Sequence, residues 1–255
     1  YHPEPRVASI LASAIMPEWF VNIKETGLIW IVNYTNVDNL SIKQNRSLAF
    51  LHDGGLDSTH RYFLVAANQS NKIAVVDLKD GSLAGIVDVG AVPHPGRGAN
   101  WIDPEFGPVW STPHLGEPSV ISVGTDPEGH ADNAWKAVRT TPLPGSGSLF
   151  IKTHPKSQWI WVDMTLNSDA GAPVPHHLRH RQSDPSQVYK CWEIGTYGRA
   201  VHFEYNKDGT QVWVSLWGDA AKPGETGAIV VYDDATLEEI ARIDNLITPT
   251  GKFND

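Results

Sequence analysis

The chain has 255 residues, 41% of them hydrophobic, and a formal charge of −9 from 20 Lys and Arg against 29 Asp and Glu. That length suits one large all-β domain, and the acidic balance argues against a nucleic-acid binder, which needs a basic face to displace counterions. The single cysteine, Cys191, excludes an internal disulfide, no apolar run is long enough to cross a bilayer, and the Cys-x-x-Cys-His motif that attaches c-type haem does not occur.

The opening Tyr1-His2-Pro3-Glu4-Pro5 is polar and stiff, unlike a signal peptide, and no initiator Met precedes it. The sequence is therefore expected to be an internal piece of a longer protein. "FVNIKETGLIWIVNYTNVDNL", from Phe20, reads as a partial strand unit. Four later segments look alike: "LDSTHRYFLVAAN" from Leu56, "IDPEFGPVWSTPHL" from Ile102, "THPKSQWIWVDMTLN" from Thr153 and "YNKDGTQVWVSLWGD" from Tyr205. Each has a polar turn and then alternating apolar residues, as in Val212, Val214 and Leu216, which is the period-2 signature of a half-buried strand. Their starts recur at roughly 50 residues, the period of a propeller blade. "NKIAVVDLKDGSLAGIVDVG" and "GAIVVYDDATLEEIARIDN" supply further strand pairs joined by tight turns. The chain is thus read as all-β, about five blades of a β-propeller. The regular long period disfavours a β-sandwich.

One stretch breaks the pattern. "GAPVPHHLRHRQSDP", Gly171 to Pro185, has three prolines, three histidines and no alternation where a blade's second strand belongs. It is read as a solvated loop. His176, His177 and His180 suggest a metal site by composition alone, and a shifted reading frame is the third possibility.

His60, His130 and His154 sit in strand-entry turns and read as structural, as does His114 near Trp110. His52 in "FLHDGG" and His94 in "PHPGRG" differ, because each occupies a glycine-rich connection reaching one end of a propeller. They lie 42 residues apart, close to one repeat, so adjacent blades would bring them to one spot. Two imidazoles there can deliver two protons near neutral pH. Arg97 adds a fixed positive charge suited to a carboxylate or small anion. On residues alone this is an anion-reducing or acid–base site, or else a structural cluster.

These motifs carry a family resemblance. With "YHPEPRVASILAS", "VDVGAVPHPGRGAN", "GPVWSTPHLG", "GTDPEGHADNAWK", "GSLFIKTHPKSQ" and "LITPTGKFN", nearly the whole chain except Gly171 to Pro185 resembles the haem d1 domain of cytochrome cd1 nitrite reductases. The resemblance implies an eight-bladed β-propeller that holds haem d1 in its central channel, with the first blades and an N-terminal cytochrome c domain carrying haem c outside residues 1–255. It implies a periplasmic homodimer without a membrane span. It also implies nitrite as substrate, and as electron donor a small protein such as a c-type cytochrome or a cupredoxin. His52 and His94 match the two distal proton donors. Arg97, Phe150, Trp217 and Gly251 match residues around the macrocycle. His202 stands where the family has a glutamine and is carried over as a haem neighbour. No iron ligand is expected within this chain, so the fragment alone is expected to be inactive. A haem d1 biosynthetic enzyme, dihydro-haem d1 dehydrogenase, is the alternative, and it should lack one of the paired histidines. A non-enzymatic propeller is a third reading.

Overall fold

The computed structural model describes residues 2–167, 176–181, 183–219 and 222–247. Its twenty strands form five four-stranded antiparallel sheets, each a meander in chain order. The first sheet is β1 (Val7–Ala12), β2 (Glu18–Ile23), β3 (Leu28–Asn33) and β4 (Ser41–Arg46), and the second is β5 (Leu51–Leu56), β6 (Tyr62–Ala67), β7 (Lys72–Asp77) and β8 (Ser82–Asp88). The third is β9 (Ala99–Asp103), β10 (Gly107–Pro113), β11 (Ser119–Gly124) and β12 (Ala137–Pro142). The fourth is β13 (Ile151–Lys152), β14 (Trp159–Asp163), β15 (His176–Arg181) and β16 (Lys190–Glu193). The fifth is β17 (Arg199–Tyr205), β18 (Gln211–Trp217), β19 (Gly227–Asp233) and β20 (Glu239–Leu246). These are five blades of a β-propeller. The repeated segments of the sequence are the junctions between the first and second strand of the second to fifth blades, and the partial unit at Phe20 belongs to a complete first blade.

Burial rises and falls across each blade. Every residue of β6, β11 and β14 is buried, whereas β4 and β20 are largely exposed. The middle strands are sandwiched between neighbouring blades. In β6 the alternate residues Phe63 and Val65 pack towards Phe20 and Ile29 of the first blade, while Tyr62 and Leu64 pack towards Trp110 and Val123 of the third. The same pattern joins the third blade to the fourth through Trp101 and Ile160, and the fourth to the fifth through Trp161, Val212 and Val214. Alternation in such strands separates two apolar faces rather than an apolar face from a wet one. That explains why Ser215, between Val214 and Leu216, is buried too.

Two expectations are corrected. His176–Arg181 is not a solvated loop: β15 pairs antiparallel with both β14 and β16, so the second partner strand of this blade is made despite its composition. Residues 171–175 and 182 of that stretch lie outside the described residues. "LHDGG" is not a connection either. It is β5, paired with β6 on both sides of a break in register between Leu51 and Gly54. The break is a β-bulge, in which His52 and Asp53 together oppose one residue of β6.

Candidate functional site

Three of the five first strands break register with their neighbours. The ladder slips at Ala8 in β1, at His52–Asp53 in β5 and at His202 in β17. A bulge re-aims side chains out of the alternating pattern. His202 also holds a φ of 56°, a left-handed conformation uncommon for a non-glycine residue. These bulged strands, with the turns leading into β9 and β13, surround one cleft of about 540 Å³. All five blades contribute to it. Its lining includes His52, His94, Arg97, Phe150, His202 and Trp217, so the structure brings together the described residues singled out in the sequence. Gly251 lies outside the described residues.

The two histidines meet. Their ring centroids are 4.9 Å apart, with His52 on the second blade and His94 on the turn before the third. Asp53 sits between them. His52 Nδ1 is 3.0 Å from Asp53 Oδ1 and His94 Nδ1 is 3.4 Å from Asp53 Oδ2, while the Gly96 amide donates to that same Oδ2. His94 Nδ1 also donates to the Leu149 carbonyl at 2.8 Å. With each Nδ1 committed in this way, Nε2 is the nitrogen left for a ligand on both rings. Asp53 is 8% exposed, and its neighbour His52 was its only signal in the sequence. The donor atoms of His52, Asp53 and His94 lie within 4.8 Å of one another. The two rings thus share one carboxylate, with both Nδ1 atoms already engaged.

Phe150 forms the next wall, edge-on to His94 at 6.2 Å and to His202 at 5.2 Å. The turn carrying Phe150 is clamped from behind by Asp163, whose Oδ1 accepts the Leu149 and Phe150 amides at 2.7 and 3.0 Å. Complete burial pushes the Asp163 carboxyl up to about 7, against the pull of those two amides. On the far rim Lys152 pairs with Glu204 at 2.7 Å, joining the fourth and fifth blades. Arg97 is exposed to the cleft and has no ion pair among the described residues. His114 is fully buried at the end of β10 with Nδ1 on the Ser119 carbonyl, and burial lowers its basicity, in keeping with its structural reading.

The glycines of "LHDGG" and "PHPGRG" let the chain pack closely against itself. A Cβ on Gly55 would overlap the Arg97 carbonyl, and one on Gly98 would overlap the Trp110 indole. One on Gly96, where φ is 63°, would sit 2.7 Å from the Phe150 ring. Blades two and three interlock here.

The cleft fits a flat, carboxylate-bearing macrocycle. Its volume is that of a cofactor site, Phe150 and Trp217 give it flat apolar walls, and Arg97 offers an uncommitted cation. The Trp217 indole N–H is buried without a partner among the described residues, an orphaned donor awaiting an acceptor.

The chain is 47% identical over 269 residues to a nitrite reductase of Stutzerimonas stutzeri, which covers 100% of this chain and 48% of that protein. It is 26% identical to a dihydro-heme d1 dehydrogenase of Pseudomonas aeruginosa, covering 98% of this chain and 46% of the other. Among solved structures, a dihydro-heme d1 dehydrogenase in complex with DHE superposes with a TM-score of 0.79 at 23% identity, over 98% of this chain and 49% of that one. Kuenenia stuttgartiensis hydrazine synthase superposes at 0.69 with 13% identity, over 91% of this chain and 64% of that one, a likeness of fold alone. The chain spans about half the length of the curated relatives it matches. The family model described as the cytochrome d1 heme domain matches residues 1–255, and the chain belongs to that family.

Proposed function

We propose that this chain is part of the haem d1 domain of a nitrite reductase that forms nitric oxide. The observation that carries the reading is the pair of imidazoles from adjacent blades, 4.9 Å apart beside one carboxylate, in the lining of a cofactor-sized cleft. The net reaction takes one nitrite, two protons and one electron to nitric oxide and water. One N–O bond breaks, the departing oxygen leaves as water, and the nitrogen is reduced by one electron. Haem d1, when bound, supplies the electron and the iron that receives nitrite. Arg97 and the Trp217 indole would anchor its polar edge, Phe150 and His202 would pack against its face, and Gly251 would lie near it.

The protein's own chemistry is proton delivery and orientation. Each imidazolium holds a proton on Nε2, because Nδ1 is occupied by Asp53 or the Leu149 carbonyl. Those two protons are donated to the nitrite oxygen that departs. The same two N–H groups hydrogen-bond that oxygen as negative charge gathers on it, an interaction that strengthens towards the transition state. The remainder of the propeller, a haem c domain, a homodimeric periplasmic protein and a small electron-donor protein complete the proposal.

The test is turnover by the full-length protein made with its haem d1. His52→Ala and His94→Ala should each lower nitrite turnover by about 10²–10⁴, the usual cost of a lost general acid. Near-normal turnover in both variants would sink the proposal. A red d1 absorption band that binds without producing nitric oxide would move the assignment to the biosynthetic dehydrogenase.

A further inference from the structure

We propose that Asp53 is a positioning residue that makes His52 and His94 a single proton-delivering unit. The inference rests on the reading of the two histidines as proton donors. One carboxylate ties two blades together: one oxygen accepts from His52 Nδ1, and the other accepts from the Gly96 amide and lies 3.4 Å from His94 Nδ1. The bulge that carries it is itself pinned, because Ser9 Oγ and Asn22 Nδ2 of the first blade donate to the His52 carbonyl at 2.8 and 2.9 Å. Asp53 therefore sits on an anchored frame and fixes the ring orientation of both histidines at once. It also sets which nitrogen His52 presents, since a carboxylate accepts and never donates, while the Leu149 carbonyl does the same for His94. Two protonated rings at this separation repel one another, and the shared negative charge offsets that repulsion. Fixing the rings this way leaves Nε2 of both cleft-lining histidines for the departing oxygen, which needs two protons.

Asp53→Asn isolates the role. The amide oxygen still accepts from Gly96, so the interlock of the two blades survives. The NH₂ meets a histidine Nδ1–H with a donor instead of an acceptor, and that ring must turn or change tautomer. Asp53→Glu restores a carboxylate one methylene further out.

The experiment uses the full-length protein with its haems. Nitrite turnover is measured beside the C2–H exchange rate of each histidine, followed by mass spectrometry. In Asp53→Asn, kcat should fall by about 10² or more while unfolding midpoints stay close to those of the parent. Exchange at both His52 and His94 should change by about threefold or more, with His60 and His154 unaffected. Asp53→Glu should recover part of the turnover. Unchanged exchange at His52 and His94, or turnover within about threefold of the parent, overturns the inference. If His52→Ala and His94→Ala abolish turnover while Asp53→Asn does not, only the role of Asp53 falls. If the histidine variants themselves turn over normally, the nitrite reading falls first.

Discussion

In the second blade, β5 runs Leu-His-Asp-Gly-Gly-Leu and its hydrogen-bonded neighbour β6 runs Tyr-Phe-Leu-Val-Ala-Ala. β6 is buried on both faces and keeps an unbroken register with β7. β5 breaks register at His52–Asp53, gives up side chains at two glycines, and faces the cleft. The contrast recurs across the molecule: β14 and β18 carry the packing between blades, while the bulged strands β1 and β17 turn residues towards the cleft. Stability and chemistry thus occupy adjacent strands of the same sheet. The apolar middle strands hold the blades in place, which lets the inner strand depart from regular pairing where the site needs it.

The sharpest way to break the contrast is to damage β6 and leave β5 intact. Phe63 is fully buried against Phe20, with ring centroids 5.9 Å apart. Phe63→Ala should cost about 3–5 kcal/mol of stability through lost burial and the cavity left behind. Denaturant midpoints of the full-length protein measure that loss. Molecules that remain folded should turn over nitrite at close to the parent rate, and a collapse of turnover per folded molecule would show that the two strands are not separable.

The division also explains what the sequence disclosed. The second strands announced themselves, because Trp159–Asp163 and Gln211–Trp217 carry aromatic and β-branched residues at strand spacing. Their recurrence set the blade period. The inner strands were hidden for the opposite reason: "LHDGGL" has the composition of a turn, and only pairing with β6 makes it a strand. β15 was hidden likewise, since "HHLRHR" has no strand pattern and is held by partners on both edges. Among site residues, the paired histidines were legible from their glycine-flanked repeats. Asp53 was not, because an acid beside a histidine is common, and its value comes from reaching a second histidine 41 residues away. Asp163 was equally invisible. It ends a middle strand, and its burial under the Leu149–Phe150 turn is a property of the assembled blade.

Asp163 gives a smaller effect, read through pH. Its folded carboxyl titrates near 7, against an ordinary value of 3.8. The folded protein therefore keeps a proton that the unfolded chain releases between about pH 4 and 7, and this group's contribution to stability falls as pH rises through that window. The span amounts to a few kcal/mol, on the order of 1.4 kcal/mol per unit. Asp163→Asn keeps an acceptor for the two amides and has no charge to bury. It should flatten the pH dependence between pH 5 and 8 and be more stable than the parent at pH 8. An unchanged slope in denaturant midpoints across that range would mean the carboxyl is not the titrating group.

The smallest of the three effects joins the two strands most directly. Gly55 lies in β5, and a Cβ there would run into the Arg97 backbone carbonyl. The constraint is space, since Gly55 is not among the positive-φ glycines. Gly55→Ala must push away the turn from Pro95 to Gly98, which carries Arg97 and follows directly on His94. Overpacking of this kind costs about 1–3 kcal/mol, less than the cavity at Phe63. Turnover should rank the two variants the other way round. Gly55→Ala displaces the second imidazole relative to Asp53, so turnover per folded molecule drops although most molecules stay folded. Measuring both quantities on both variants separates a strand that stabilises from a strand that aims, and equal ratios of activity loss to stability loss would erase the distinction.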